Sequence, residues 1–137
     1  MSEIQVQIIK TADNEQVKKL YKEAGWWNEG VDDKDPDFIN KIIQGSFCFA
    51  AAIIDGRIIG MGRAISDGIS DSYIQDITVS KQFRKRGIGV LIMDELIKYL
   101  KSKNINWITL ISESGAVAFY EKYGFSRMDG HVPFTLK

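Results

Sequence analysis

The residues best suited to chemistry lie in one run, Val79-Ser80-Lys81-Gln82-Phe83-Arg84-Lys85-Arg86-Gly87-Ile88-Gly89. An apolar, strand-like stretch precedes it and a long amphipathic pattern follows, so the run joins a strand to a helix N-terminus. Such a terminus offers unpaired amides and the positive end of a dipole, which together seat phosphate. Glycine lets a phosphate approach the backbone, and Lys81, Arg84, Lys85 and Arg86 surround the turn with positive charge. The chemistry implied is the holding of a diphosphate. The plainer alternative is that Gly87 and Gly89 only permit close helix–sheet packing while the basic side chains are solvated. The strand–turn–helix setting and the placement of Arg84 favour the ligand. A nucleoside triphosphatase is excluded because GxxxxGK followed by Ser or Thr is absent. A dinucleotide site is disfavoured because Ile92 stands where GxGxxG has its third glycine.

Asp76 is a carboxylate inside the apolar stretch that leads to this turn. Two readings stay open for it: a general base for an incoming ammonium, directly or through water, or a structural hydrogen-bonding partner. Strict alternation puts it on the face opposite Ile77 and Val79 unless a bulge intervenes. Tyr73 and Glu29 are further candidate bases. Cys48, flanked by Phe47, Phe49 and Ala50, reads as a packed core thiol rather than a nucleophile. The one histidine, His131, has no neighbours at ligand spacing, so no metal site is expected.

The elements needed to position these groups can be read from periodicity. The 137 residues fit one domain, residues 1–137, and 18 basic against 18 acidic side chains argue against a general nucleic-acid or membrane partner. No stretch has a signal-peptide or membrane-spanning pattern, so a cytoplasmic location is the default. Residues 4–9 alternate as a strand. Asp13 caps a helix, with Gln16 as the reciprocal partner of a capping box, and Val17, Leu20, Tyr21 and Ala24 share its inner face. Asp35-Pro36 opens a second short helix with Pro at its first position. Residues 47–54 and 58–65 form a hairpin about Asp55-Gly56, and residues 73–79 a third long strand. A helix runs from about residue 87 to 102, followed by a strand at 107–111. A helix with its face on Ala116, Phe119, Tyr120 and Tyr123 follows, then two closing strands, one from Phe125 and one at 132–136. Hairpins combined with helical crossovers imply a mixed sheet flanked by helices.

Two of these segments carry a resemblance. Arg84-x-x-Gly87-x-Gly89 is similar to the acetyl-CoA motif of the GNAT superfamily: Arg or Gln, then Gly, then Gly or Ala at the same spacing. The strand Tyr73-Ile74-Gln75-Asp76-Ile77-Thr78-Val79 before it matches the motif's setting. Ala118-Phe119-Tyr120-Glu121-Lys122-Tyr123-Gly124-Phe125 resembles the superfamily's second signature, a helix ending in F-Y-x-x-x-G-F. The resemblance covers nearly the whole chain. It implies the GNAT fold, an α/β (α+β) architecture with a central mixed, mostly antiparallel sheet of about six to seven strands, four flanking helices and splayed middle strands.

The resemblance also implies roles. The strand ending at Val79 would splay from that at 107–111, and the coenzyme's pantetheine arm would pair with the backbone of Ile77 and Val79. The amides of Arg84, Lys85, Arg86, Gly87, Ile88 and Gly89 would hold its pyrophosphate. Tyr120 takes the position that often protonates the coenzyme A thiolate, as suits a phenol with a pKa near ~10. Tyr120 as core packing is the alternative, with Phe119 able to fill that role alone. The N–H of Val79 would stabilise the oxyanion. Many relatives carry an Asn near the start of the last helix, where this chain has Ser112-Glu113-Ser114-Gly115. The acceptor site would be lined by Trp26, Trp27, Asn28 and Glu29 in an acidic region suited to an amine. The run Gly62-Arg63-Ala64-Ile65-Ser66-Asp67-Gly68 with Asp76 is loosely similar to aralkylamine acetyltransferases. The implied activity is transfer of acetyl from acetyl-CoA, as cosubstrate and without metal, to a primary amine by direct attack. The alternatives are a non-catalytic acyl-CoA sensor and a protein-amine acetyltransferase. A homodimer through residues 132–136 is a further expectation of the resemblance.

Overall fold

The computed structural model of the chain describes residues 3–137. Its sheet runs β1 (Gln5–Ile8), β2 (Cys48–Ile54), β3 (Arg57–Ser66), β4 (Asp71–Val79) and β5 (Trp107–Leu110), side by side in that order. The first four strands are antiparallel, and β5 is parallel to β4. That parallel pairing needs a crossover connection, which a helix between the two strands supplies. Around the sheet lie α1 (Asn14–Glu23), α2 (Phe38–Gly45), α3 (Ile88–Ser102) and α4 (Val117–Tyr123).

Local chemistry explains most boundaries. At the β2–β3 turn, Asp55 and Gly56 both have positive φ, 50° and 76°, as a two-residue hairpin turn requires. Asp13 caps α1 by accepting from the amides of Glu15 and Gln16 at 2.9 and 3.3 Å. The reciprocal half of the expected capping box is absent. Gln16 Oε1 instead accepts from the Ile58 amide at 2.6 Å and ties α1 to β3. Pro36 lies in the turn ahead of α2, two residues before its first position, and its carbonyl accepts from Asn14 Nδ2 at 2.7 Å.

The sheet separates two apolar layers. On one face α3 presents Ile88, Ile92, Met93, Leu96 and Leu100 to Cys48, Ala50, Ala52, Ala64 and Ile74. On the other, Val17, Leu20 and Tyr21 of α1 and Ile39 and Ile43 of α2 meet Phe49 and Met61. Small strand residues let α3 lie close. A Cβ on Gly62 would strike Ile77 Cδ1 and sit 2.9 Å from Ile92 Cγ2. Gly62→Val should therefore cost ~1–3 kcal/mol through overpacking, measured as a lower urea midpoint at unchanged slope. Cys48 is enclosed in this layer, and burial pushes its thiol up to about 12, which leaves it inert as a nucleophile.

Between β3 and β4 the turn is held by Asp67. Its carboxylate accepts from the amides of Ile69 and Ser70 at 2.8 and 2.9 Å and from the Ser70 hydroxyl at 2.9 Å. These bonds lower its pKa from 3.8 to about 2. A pKa depressed on folding means stability that is present above the ordinary value and lost as pH falls through the folded one. Comparing wild type with Asp67→Ala by urea unfolding, the difference should be full above pH 4 and vanish as pH falls toward 2.

The sheet has five strands rather than the six to seven expected. Residues 125–137 contain no strand, and Val132, Phe134 and Leu136 are 69%, 94% and 100% exposed. Alternation specifies a face, whereas a strand also needs a paired neighbour, and this segment does not pair with β5. Among the described residues no helix is long and apolar enough to cross a membrane.

Two irregularities interrupt β4. Its pairing with β5 stops at Ile74↔Leu110, so residues 75–79 have an unpaired edge. Against β3 the register jumps from Met61↔Thr78 to Arg63↔Gln75, so Asp76 and Ile77 together oppose Gly62. This is a β-bulge, and Asp76 sits in it at φ 60°.

Candidate active site

The unpaired edge of β4 is the floor of the site. The Ser80 amide donates to the Ile59 carbonyl at 2.7 Å, toward β3. Successive peptides alternate sides along a strand, so Ile77 and Val79 turn their N–H and C=O groups to the open edge. The residues named from sequence for backbone pairing are thus the ones whose peptide groups have no sheet partner.

At the end of β4 the chain makes a 3-10 turn over Lys81–Phe83 and enters α3 through Gly87 at φ 79°. Lys85 also has positive φ, 64°. The first intrahelical bond of α3 runs from the Leu91 amide to the Gly87 carbonyl at 3.3 Å. The amides of Ile88, Gly89 and Val90 precede it and have no helical partner. The Ile88 side chain is core, so any ligand contact it makes is through its backbone. Arg84 braces the turn as well as charging it. Its Nε donates to the Val79 carbonyl at 2.9 Å and closes the turn onto the strand end. The Arg86 guanidinium lies over Phe83, 5.3 Å from the ring centre. Gly89 permits close approach of α4, since a Cβ there would lie 3.2 Å from Phe119 Cζ.

Phe119 therefore packs against α3, and Tyr120 beside it faces the site. The Tyr120 ring meets Phe119 and Phe125 edge-on, with centroids 5.1 and 6.0 Å apart. The hydroxyls of Tyr21 and Tyr123 are bonded to Asp76 and Asp94. Among the described residues the Tyr120 hydroxyl has no such partner. Its pKa is raised, first by burial and then by the negative charge of Glu113.

A cavity of about 270 Å³ lies alongside, lined by Trp26, Tyr73, Asp76, Ile77, Glu113 and Tyr120 among others. Asp76 faces away from Ile77 as alternation requires, but the bulge puts Gln75 on its side as well. Its Oδ2 accepts from Tyr21 OH and from Arg63 Nε, each at 2.7 Å. Arg63 also donates to Gln75 Oε1 at 2.9 Å. Asp76 is thus a braced carboxylate in the cavity wall, and its bonds match the structural alternative. Burial, followed by the charge of Asp76, raises the pKa of Tyr21 and keeps it a hydrogen-bond donor.

Of the four residues expected to line an acceptor site, only Trp26 is among those that line the cavity. Trp27 packs edge-on against Phe38 at 5.7 Å under the Lys18 ammonium, and its indole donates to Asp33 at 3.3 Å. Glu29 pairs with Lys22 at 3.5 Å on the surface. Both tryptophans pack against the α1–α2 layer, but Trp27 is held by Asp33 away from the cavity and Lys22 holds Glu29 on the surface. Sequence reasoning missed Tyr21, Arg63 and Glu113. A tyrosine on the buried face of α1 was the available signal, because a buried phenol needs a hydrogen-bond partner. Glu113 accepts from Trp26 Nε1 at 2.8 Å across the cavity.

A family model described as the acetyltransferase (GNAT) domain matches residues 10–134. The chain is 29% identical over 113 residues to an uncharacterized N-acetyltransferase, ycf52, of Gracilaria tenuistipitata var. liui, covering 80% of this chain and 59% of that protein. It is 31% identical over 71 residues to the chloroplastic serotonin N-acetyltransferase 2 of Oryza sativa subsp. japonica, covering 52% and 36%. The chain thus spans less than two thirds of the length of these relatives. The structure superposes on that of SA2161 from Staphylococcus aureus, a protein of unknown function, with a TM-score of 0.81 at 25% identity, over 98% and 99% of the two chains.

Proposed function

Since this chain belongs to the GNAT acetyltransferase family, we propose that it moves the acetyl group of acetyl-CoA to the primary amine of a small arylalkylamine, by direct attack within a ternary complex. The observation that carries this reading is the open edge of β4 with Tyr120 and a small polar cavity beside it. When bound, the coenzyme supplies an activated acetyl thioester. The Ile77 peptide groups and the Val79 N–H face its arm, and the Val79 N–H donates to the thioester oxygen that gains charge while Arg84 holds the Val79 carbonyl. The amides that open α3, with Lys85 and Arg86, hold the diphosphate. Arg84 supports them by fixing the turn to Val79. Tyr120 supplies the proton that the leaving thiolate takes up. The acceptor ammonium gives one proton to water before its neutral nitrogen attacks, and the proton shed as the amide forms returns through water to Tyr120, while Asp76, tied to Arg63 and Tyr21, braces the cavity wall.

An arylalkylamine fits the Trp26 ring and the modest volume of the cavity. The rice relative whose name specifies serotonin acetylation supports the same class. We also propose a homodimer in which residues 132–136, exposed and alternately apolar, add to the outer edge of β5. Light scattering should give twice the chain mass, and Phe134→Ser should restore the monomer.

Calorimetric titration with acetyl-CoA tests the central claim, with dephospho-CoA as the control. Stoichiometric binding that Arg84→Ala weakens, followed by turnover of tryptamine or phenethylamine, is the expected result. Binding without turnover of any amine would leave a coenzyme-binding module. Turnover only of lysine peptides would move the acceptor to protein amines.

A further inference from the structure

The two carboxylates of the cavity are not equivalent. Asp76 is matched by the Arg63 guanidinium at 2.7 Å and takes the Tyr21 hydroxyl on the same oxygen. Glu113 has no cation within ion-pair reach among the described residues, and its Oε1 accepts only the neutral indole N–H of Trp26 at 2.8 Å. That bond joins residues 87 apart in sequence and spans the mouth of the cavity. The charge of Glu113 is also felt at Tyr120. Asp76 thus carries a charge balanced within the protein, whereas Glu113, exposed at the edge of the cavity, carries one that no described side chain balances.

We propose that Glu113 is the docking residue for the acceptor's ammonium group and so determines specificity for a cationic acceptor. The ammonium takes over the carboxylate oxygen that the indole N–H now occupies. The freed Trp26 ring remains as the apolar wall against the acceptor's carbon skeleton. The ammonium adds a coulombic attraction to the carboxylate that the neutral indole N–H lacks, so the exchange favours the bound amine. The inference rests on the acetyl-transfer reading of this cavity and names the residue that selects the acceptor there.

The test uses the intact protein saturated with coenzyme A, in which no turnover occurs. Phenethylamine and its neutral counterpart 2-phenylethanol are titrated calorimetrically. Wild type should bind the amine roughly tenfold or more tightly than the alcohol. Glu113→Gln, which keeps the size and the acceptor oxygen, should bring the two affinities together and leave coenzyme A affinity unchanged. Trp26→Phe, which removes the competing N–H and trims the apolar wall equally for both ligands, should keep the preference or increase it. An unchanged amine-to-alcohol ratio in Glu113→Gln overturns the proposal, as does wild-type protein that binds coenzyme A but not phenethylamine. Failure to bind coenzyme A would instead strike the acetyltransferase reading itself.

Discussion

Tyr120→Phe should lower kcat by roughly 100- to 10,000-fold, the range for loss of a general acid, with little change in the affinity for acetyl-CoA. The ring would keep its edge-on contacts with Phe119 and Phe125, so the substitution removes the proton and not the packing. Burial and the Glu113 charge push the Tyr120 pKa upward. The phenol thus stays protonated past its ordinary range near ~10, and on the alkaline side kcat should fall only as pH passes that raised value. Stopped turnover assays across pH, paired with calorimetry on the same variant, check both parts. Equal losses in kcat and coenzyme binding would make Tyr120 a packing residue.

Asp76→Ala should cost about 3 kcal/mol of stability, as expected when one member of a buried ion pair is removed. The side chains of Arg63 and Asp76 are 19% and 22% exposed, so the lower end of the range for buried pairs applies. The loss goes beyond one ion pair, because the Tyr21 hydroxyl is left without its acceptor and the bulge at φ 60° without its anchor. Asp76→Asn keeps an acceptor oxygen for both donors and should lose much less stability. Urea unfolding of the two variants separates these outcomes. If both lose the same amount, it is the charge of Asp76 that matters. If neither does, the brace carries no stability.

The parts of the fold legible in the sequence were those fixed by short-range rules. Asp55-Gly56 specified its hairpin, and the basic, glycine-containing run specified the passage from β4 into α3. The Phe119–Tyr120 pair offered a ring for packing, and Phe119 takes that role against Gly89. What stayed hidden depended on partners distant in the chain. Gln16 looked like a capping-box residue, yet the amide of Ile58 competes for it. Trp26 and Trp27 are neighbours of the same type, and only the pull of Asp33 on one indole and Glu113 on the other sends them different ways. Strand alternation marked Asp76 for the correct face, but its bonds to Tyr21 and Arg63 require a bulge that no local pattern announces. Residues 132–136 show the converse. Their alternation is a real strand signal, and β5 does not answer it.

The contact between Gly89 and Phe119 has a practical consequence for anyone altering this protein. The glycine belongs to the turn proposed to receive phosphate, and the ring it touches is the neighbour of Tyr120, the proposed proton donor. A methyl group at position 89 would displace the Phe119 ring by tenths of an ångström, and that displacement would pass along α4 to Tyr120. Retuning the protein for a different acyl carrier through this turn would therefore also change the rate of the chemical step. The two properties are geared together, and a selection for one will drag the other with it.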